Sequence, residues 1–399
     1  MKAVVFGSGL IGCGLVGQLL RASGHEVVFV ARNPMMVDHL NRIGHYRVHL
    51  VKGLETQESI VEGIQAVSTA EPDRVAEEIA GAGLIVTAVG AGNLPQIAPL
   101  IAAGLCQRRA PANVLAFENL ANAGPYLRHL IADHLPADFF LDAHGFSGAL
   151  IDRVVSRRLG NPGRDEPLTF IGDPPATFVV DGQSLRQPLP AIEGMIVADD
   201  YTAWIQRKLY TFSAGHATCA YLGYLKGYHY IHSAIRDPEI RINVMRAMTE
   251  GQGGLAARYG ATMAGDRNYL AEIISRFENA ALNDPITRVG RDPQRKLGAE
   301  DRLVGAARLA QEAGIRPKSL ALAAAAALYF YDPADPSAVN LRREVKEAGP
   351  GSILGRVSQL DPSQGLGRFV ADIWRQLAKG WQKDNLLLSL DKLQWAWQV

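Results

Sequence analysis

Two short stretches of the chain carry residue types and spacings that could do chemistry. The first, Gly7-Ser8-Gly9-Leu10-Ile11-Gly12, is a GxGxxG turn. In such a turn the first glycine allows the tight bend, the second lets a pyrophosphate approach the backbone, and the third lets the helix pack closely on its strand. The second stretch is Arg207-Lys208-Leu209-Tyr210-Thr211-Phe212-Ser213-Ala214-Gly215-His216. On a helix Lys208, Thr211 or Phe212, and His216 follow one another by steps of three to four, which puts Lys208 and His216 on one face. A lysine on a partly buried face can have its pKa lowered into the range useful for general acid–base work. By residue type alone, that pair also fits a snorkelling lysine beside a core histidine. His216, His229 and His232 form no HExxH or Cys/His set, so no metal is expected.

These groups need elements to position them. Lys2–Phe6 reads as a β-branched strand, 10–22 as a helix and Glu26–Val30 as a second strand, which is the order of a parallel βαβ unit opening on the glycine turn. Buried strands are expected at 84–86 and 114–117, with helices near 94–103 and 126–134. The runs 168–171 and 177–180, separated by Pro174-Pro175, read as an antiparallel pair. From Ile192 onward the pattern is helical, over 200–223, 237–259, 267–280, 300–313, 319–331 and 367–379. The expected fold is therefore an α/β N-terminal Rossmann domain, mostly parallel with an antiparallel extension, over residues 1–191, followed by an all-α C-terminal domain over 192–399. Gln187-Pro188-Leu189-Pro190 is the expected connection, because proline disfavours helix before it and removes a ladder donor.

Composition narrows the function classes. With 399 residues, 41 basic and 40 acidic side chains, the net charge of +1 provides no global field for nucleic acid or an anionic membrane. Three cysteines without CxxC spacing, Cys13, Cys106 and Cys219, argue against a disulfide framework and for a reducing, cytoplasmic setting. The N-terminal apolar run is broken by glycines, unlike a signal peptide. The longest apolar run, Leu320 to Phe330, is about half of what crosses a bilayer and reads as a buried Ala-rich helix.

Cofactor preference is read at the end of the second strand, where NAD enzymes place a carboxylate on the ribose 2′-hydroxyl. Here stand Ala31-Arg32-Asn33. With no carboxylate to repel a 2′-phosphate and Arg32 able to pair with one, NADP is favoured over NAD; a solvated turn residue is the alternative for Arg32. Thr87-Ala88-Val89-Gly90 supplies small residues where the sheet would pass under the nicotinamide ribose. Arg288, Arg291, Arg295 and Lys296 form a basic cluster around Pro293, fit either for a phosphate or for ion pairs with Glu300 and Asp301.

The stretch from Arg207 through His216 to Ala220-Tyr221-Leu222-Gly223 resembles the signature of the polyol-specific long-chain dehydrogenases. The resemblance covers nearly the whole chain and includes Glu118-Asn119, Ile151-Asp152-Arg153, Arg276-Phe277-Glu278-Asn279 and Val289-Gly290-Arg291 through Arg295-Lys296-Leu297. It implies an NAD(P)-dependent oxidoreductase that interconverts a polyol, or polyol phosphate, and its ketose, with mannitol 1-phosphate and fructose 6-phosphate as the family pair. In the family signature Lys-x4-Asn-x2-His, the lysine takes the alcohol proton, the histidine orients the substrate hydroxyl, and two asparagines form an oxyanion hole. The resemblance thus assigns Lys208, His216 and Asn119, and places Asp152, Arg153, Arg288, Arg291 and Lys296 near the substrate. The expected partner is a small molecule, with monomer and dimer both open.

The chain departs from the family at two points. Position 213 is Ser where the signature has Asn, and a serine hydroxyl reaches one atom less far than an amide nitrogen. Position 13 is Cys where members acting on mannitol 1-phosphate usually carry Arg. The departures keep two further readings open: a related dehydrogenase for a different sugar or cyclitol, and a catalytically silent nucleotide-binding protein.

Overall fold

A computed structural model describes residues 1–120 and 122–380. The chain divides into two compact units between Trp204 and Ile205.

In the first unit, β1 (Lys2–Phe6) buries four of its five residues, as a parallel strand covered on both faces must. The other strands are β2 (Glu26–Ala31), β3 (His45–Lys52), β4 (Glu55–Glu62), β5 (Ile64–Ser68), β6 (Leu84–Thr87), β7 (Asn113–Ala116), β8 (Gly145–Ile151), β9 (Val155–Leu159), β10 (Thr169–Gly172), β11 (Phe178–Asp181) and β12 (Met195–Ala198). They form an eight-stranded sheet in the order β12-β11-β8-β7-β6-β1-β2-β5 and a four-stranded sheet in the order β4-β3-β10-β9. Within the larger sheet every pairing is parallel except β11 with β8. Its helices are α1 (Gln18–Ala22), α2 (Pro34–Ile43), α3 (Pro72–Ala80), α4 (Leu94–Cys106) and α5 (Ala123–Ala132). One apolar layer packs α3, α4 and α5 residues such as Ile79, Ile101 and Leu127 against the sheet. The opposite layer joins the first helix to Tyr46 and Phe170 of the smaller sheet.

The antiparallel pair expected from the runs 168–171 and 177–180 does not form. The strands β10 and β11 do not pair with each other: β10 joins β3 and β9, while β11 joins β8 and β12. Pro174-Pro175 between them directs the chain into a different sheet instead of closing a hairpin. The division between the compact units falls at Trp204/Ile205, beyond β12, which pairs with β11 as the last strand of the large sheet.

The second unit is helical, and among its described residues the only β-pairing is an isolated bridge between Tyr230 and Pro285. Its helices follow α6 (Tyr201–Lys208), across which the division falls: α7 (Ala214–Leu225), α8 (Ile231–Ala234), α9 (Pro238–Tyr259), α10 (Ala261–Ala264), α11 (Arg267–Phe277), α12 (Ile286–Gly290), α13 (Pro293–Lys296), α14 (Val304–Glu312), α15 (Lys318–Ala327), α16 (Pro336–Ala348), α17 (Pro350–Arg356) and α18 (Gly365–Gly380). From Ser319 to Ala327 every residue of α15 is buried, so its apolar composition is that of a central helix packed all round. Among the described residues no helix is long and apolar enough to cross a membrane.

Candidate active site

The glycine turn follows β1, and its three glycines do different work. Gly7 adopts φ +104°, and a Cβ there would lie 2.4 Å from the Ala88 carbonyl oxygen. At Gly12 a Cβ would come within 1.9 Å of the Gly7 carbonyl oxygen. Both are required by the turn itself. Around Gly9, in contrast, no atom lies within 4 Å of where a Cβ would stand. That open approach, beside Ser8, Leu10 and Ile11 at a helix N-terminus, suits a pyrophosphate. The helix runs over 10–22, opening α-helical, with a π-helical segment Gly12–Gly17 before α1. Cys13 lies fully buried within it, its carbonyl accepting the Tyr46 hydroxyl at 2.9 Å. Its side chain fills the core layer.

At the end of β2, Ala31 is buried, Asn33 caps α2 by accepting the Met35 N–H at 3.0 Å, and exposed Arg32 donates to Gln96 Oε1 at 3.2 Å. After β6, buried Thr87 leads into Ala88-Val89-Gly90, where Gly90 has φ +86°. The carboxylate of Glu118, buried after β7, accepts the N–H groups of Val89 at 3.0 Å and Gly90 at 2.7 Å. Burial raises the Glu118 pKa, and these two amides oppose that rise. Glu118 therefore fixes the loop after β6, and exposed Asn119 follows it directly. The motif Glu118-Asn119 was visible in the sequence, but the clamp was not, since it joins two strand ends.

Asp152 is half-buried at the end of β8, its N–H donating to the Thr177 carbonyl at 3.1 Å. Arg153 is buried, and its guanidinium donates within the first unit: to the Gly14 carbonyl at 3.1 Å, Gln18 Oε1 at 2.5 Å, and the Pro175 carbonyl at 2.8 Å. It braces the glycine-turn helix against the Pro174-Pro175 bend. Burial brings its pKa down to about 10.

In the second unit Lys208 closes α6, a π-helical segment spans Leu209–Ser213, and α7 carries His216. Eight residues of ordinary α-helix make about 2.2 turns, leaving the two side chains roughly 80° apart. The wider turns of the π segment reduce that offset and bring Lys208 and His216 toward one line. Helix α9 accommodates the bulge. A Cβ on Gly251 would lie 2.0 Å from the Tyr210 carbonyl oxygen, so only glycine permits this approach. Tyr210 is further held by its hydroxyl, which donates to the Glu300 carbonyl at 3.0 Å. Lys208 and Ser213 are half-buried.

The His216 ring lies flat on Phe277, with centroids 4.8 Å apart and an interplanar angle of 14°, and Phe212 meets it edge-on at 5.4 Å. Its Nε2 is 3.2 Å from Oδ2 of Asp284, a buried carboxylate that Arg288 grips with Nε and Nη2, each at 2.6 Å. Burial lowers the His216 pKa. At Asp284 the His216 and Arg288 partners outweigh burial and hold the carboxyl at about 2. Arg288, expected near substrate, thus has its fork engaged by Asp284.

Of the remaining basic cluster, Arg291 is exposed and has no ion-pair partner among the described residues, while Arg295 pairs with Asp292 at 2.7 Å and with Asp301 at 3.4 Å. Lys296 is buried, its ammonium donating to the Arg291 carbonyl. Burial, with Arg302 and Arg295 nearby, brings its pKa down to about 7. No group of three or more potential metal ligands occurs among the described residues.

The chain matches the family models described as mannitol dehydrogenase Rossmann domain over residues 1–194 and mannitol dehydrogenase C-terminal domain over 200–349. It is 38% identical over 388 residues to a mannitol-1-phosphate 5-dehydrogenase of Brevibacillus brevis, covering 96% of this chain and 99% of the relative. It is also 38% identical to the protein of that name from Bacillus licheniformis, covering 93% and 98%. Its fold is similar to a substrate-free D-sorbitol dehydrogenase, with TM-score 0.77, 17% identity and 94% and 93% coverage. The same holds for Pseudomonas fluorescens mannitol 2-dehydrogenase solved with NAD and D-mannitol, with TM-score 0.75, 16% identity and 98% and 94% coverage. Matched across both units and along almost its full length, the chain belongs to the mannitol dehydrogenase family of oxidoreductases acting on CH–OH groups.

Proposed function

We propose that the chain interconverts a polyol phosphate and its ketose phosphate, with mannitol 1-phosphate and fructose 6-phosphate as the pair. The observation that carries this reading is the 38% identity, over 96% of the chain, to a mannitol-1-phosphate 5-dehydrogenase. Gly7, Ser8, Gly9, Leu10, Ile11 and Gly12 hold the cofactor pyrophosphate, Ala31, Arg32 and Asn33 meet the adenosine ribose, and Thr87, Ala88, Val89 and Gly90 line the nicotinamide end. The nicotinamide supplies a carbon that accepts or returns hydride. Arg32, with no carboxylate beside it, favours NADP over NAD.

Lys208 removes the alcohol O–H proton as the carbinol C–H bond gives up hydride, and returns it in the reverse direction. Asn119 and Ser213 donate hydrogen bonds to the developing alkoxide, and His216 orients a substrate hydroxyl. Arg291 and Lys296 meet the phosphate and Asp152 contacts the substrate, while Arg153 holds backbone carbonyls and Arg288 holds Asp284. Ser213 motivates a second reading within the same chemistry: it leaves the oxyanion site with a shorter donor, which would suit a different sugar or a cyclitol.

The test follows oxidation of NADPH and of NADH with fructose 6-phosphate, with fructose, and with a panel of other ketose phosphates, using wild type and Lys208→Ala. Turnover with fructose 6-phosphate that disappears in Lys208→Ala while the cofactor still binds is the expected result. Reduction of a different ketose favours the second reading. Cofactor binding without turnover of any ketose would sink both.

A further inference from the structure

Asp284 lies outside every sequence motif named above, yet it is the polar partner of His216. Several features hold it in place. Asn283 just before it takes a left-handed φ of +48°. The Asp284 carbonyl accepts the Ile231 N–H at 3.0 Å, and the Ile286 N–H donates to the His229 carbonyl at 2.9 Å. On either side of the bridge between Tyr230 and Pro285, the backbone is thus tied to a neighbouring segment. The side chain is only 8% exposed, and its oxygens are taken by Arg288 and His216.

We propose that Asp284, closed off by Arg288, is a positioning residue that holds His216 in one ring orientation and one tautomer, with Nε2–H toward the carboxylate and the Nδ1 lone pair left as a hydrogen-bond acceptor. The physical basis is that the nitrogen facing a carboxylate carries the proton, so the other nitrogen of a neutral imidazole must be the acceptor. Stacking on Phe277 removes the remaining freedom of ring rotation. The ring stays neutral because burial outweighs the charges around it: Asp284 favours the imidazolium, while Arg288, which shares that carboxylate, and Arg276 of α11 oppose it. Burial acts in the same direction as the two arginines.

A nitrogen lone pair accepts from a hydroxyl and repels a phosphate oxygen. His216 therefore reads a hydroxyl of the substrate, and the phosphate must be met elsewhere. This deepens the proposed function and rests on it for its catalytic meaning.

Two measurements test the inference separately from that function. Nitrogen-15 spectra of the histidine rings of the intact wild-type protein, with His216 assigned by His216→Gln, should show at neutral pH a protonated Nε2 and an unprotonated Nδ1. An imidazolium or the opposite tautomer overturns the proposal, whether or not the enzyme turns over. Kinetically, once wild type is shown to reduce a ketose phosphate, Asp284→Asn should lower kcat/KM for it by at least about tenfold, the scale of a lost charge-assisted hydrogen bond. NADPH affinity should stay within about twofold. In Arg288→Met the uncompensated carboxylate should raise the acid limb of the kcat/KM–pH profile, an effect that mere structural loosening would not produce. A wild-type rate in Asp284→Asn, or an unmoved profile in Arg288→Met, would refute the positioning role. Absence of turnover in the wild type would instead count against the proposed function.

Discussion

Replacing Gly251 by alanine is predicted to disable the enzyme out of proportion to its effect on stability. A Cβ at Gly251 would stand 2.0 Å from the Tyr210 carbonyl oxygen, whereas real Cβ atoms essentially never approach within 3.0 Å. Either α9 or the π segment must therefore give way by about 1 Å, the difference between these distances. The obstacle is backbone, which cannot rotate aside as a side chain can. Alanine contributes about 1 kcal/mol of helix propensity over glycine, while overpacking costs about 1–3 kcal/mol. The net change is about 0–2 kcal/mol, a fall in Tm of at most roughly 8 °C for a unit of this size. Lys208, Ser213 and His216 all lie on or beside the displaced segment, and a displacement of about 1 Å in a reacting geometry can cost about 10²-fold in rate. The assay pairs kcat at saturating ketose phosphate with NADPH binding followed by fluorescence and a thermal scan. A loss of about 10²-fold in kcat with unchanged cofactor affinity is expected, because the glycine turn belongs to the other unit. Gly355→Ala is the matched control, since nothing lies within 4 Å of a Cβ there, and it should leave kcat unchanged and raise stability by about 0.4–1 kcal/mol. Wild-type kcat and an unchanged or higher Tm in Gly251→Ala would refute the idea that this approach sets the catalytic register.

Three further outcomes are expected. Glu250 accepts the Ser319 and Leu320 N–H groups at the start of α15, each at 2.9 Å, and burial pushes its carboxyl up to about 7 from an ordinary value of 4.5. Because the folded state then holds the proton more tightly, its stabilising contribution is complete below about pH 4.5 and is lost as pH rises through 7. Thermal scans should show Tm falling more steeply across that window in wild type than in Glu250→Gln, and equal slopes would contradict the assignment. Ser213→Asn should raise turnover of fructose 6-phosphate, since the longer amide reaches the alkoxide better than the serine hydroxyl and a full oxyanion donor is worth up to about 10²–10³-fold; a tenfold fall would show Ser213 adapted to another substrate. Arg32→Ser should weaken NADPH binding by about tenfold or more while leaving NADH within about twofold, and equal losses for both would remove Arg32 from 2′-phosphate recognition.

Much of the fold was legible because its signals are local. The β1 run, the glycine turn and the second strand lie within about thirty residues, the span of a βαβ unit, and their order forces a parallel pairing. The all-buried α15 could be read from its composition alone. What escaped was one polar hairpin and the pairing between distant segments. The β3–β4 hairpin, with mixed polar residues on an exposed outer strand, carries weak alternation, and nothing in the runs at 168–171 and 177–180 says that each finds its partners in a different sheet.

The candidate site divides in the same way. Residue type and spacing alone brought out the glycine turn and the absence of a carboxylate after β2, while the Lys208 to His216 stretch stood out through its resemblance to a family signature; each is a contiguous segment whose reading does not depend on distant partners. Only the tertiary structure could reveal the Glu118 clamp on the Val89 and Gly90 amides, the engagement of Arg153 by backbone carbonyls, and Asp284 behind His216. It also decided that a π turn, fitted against Gly251, lies between Lys208 and His216. The physical reason is the cost of burial: a guanidinium or carboxylate withdrawn from water must find partners wherever the folded backbone offers them. Those partners are neighbours in space and not in the chain.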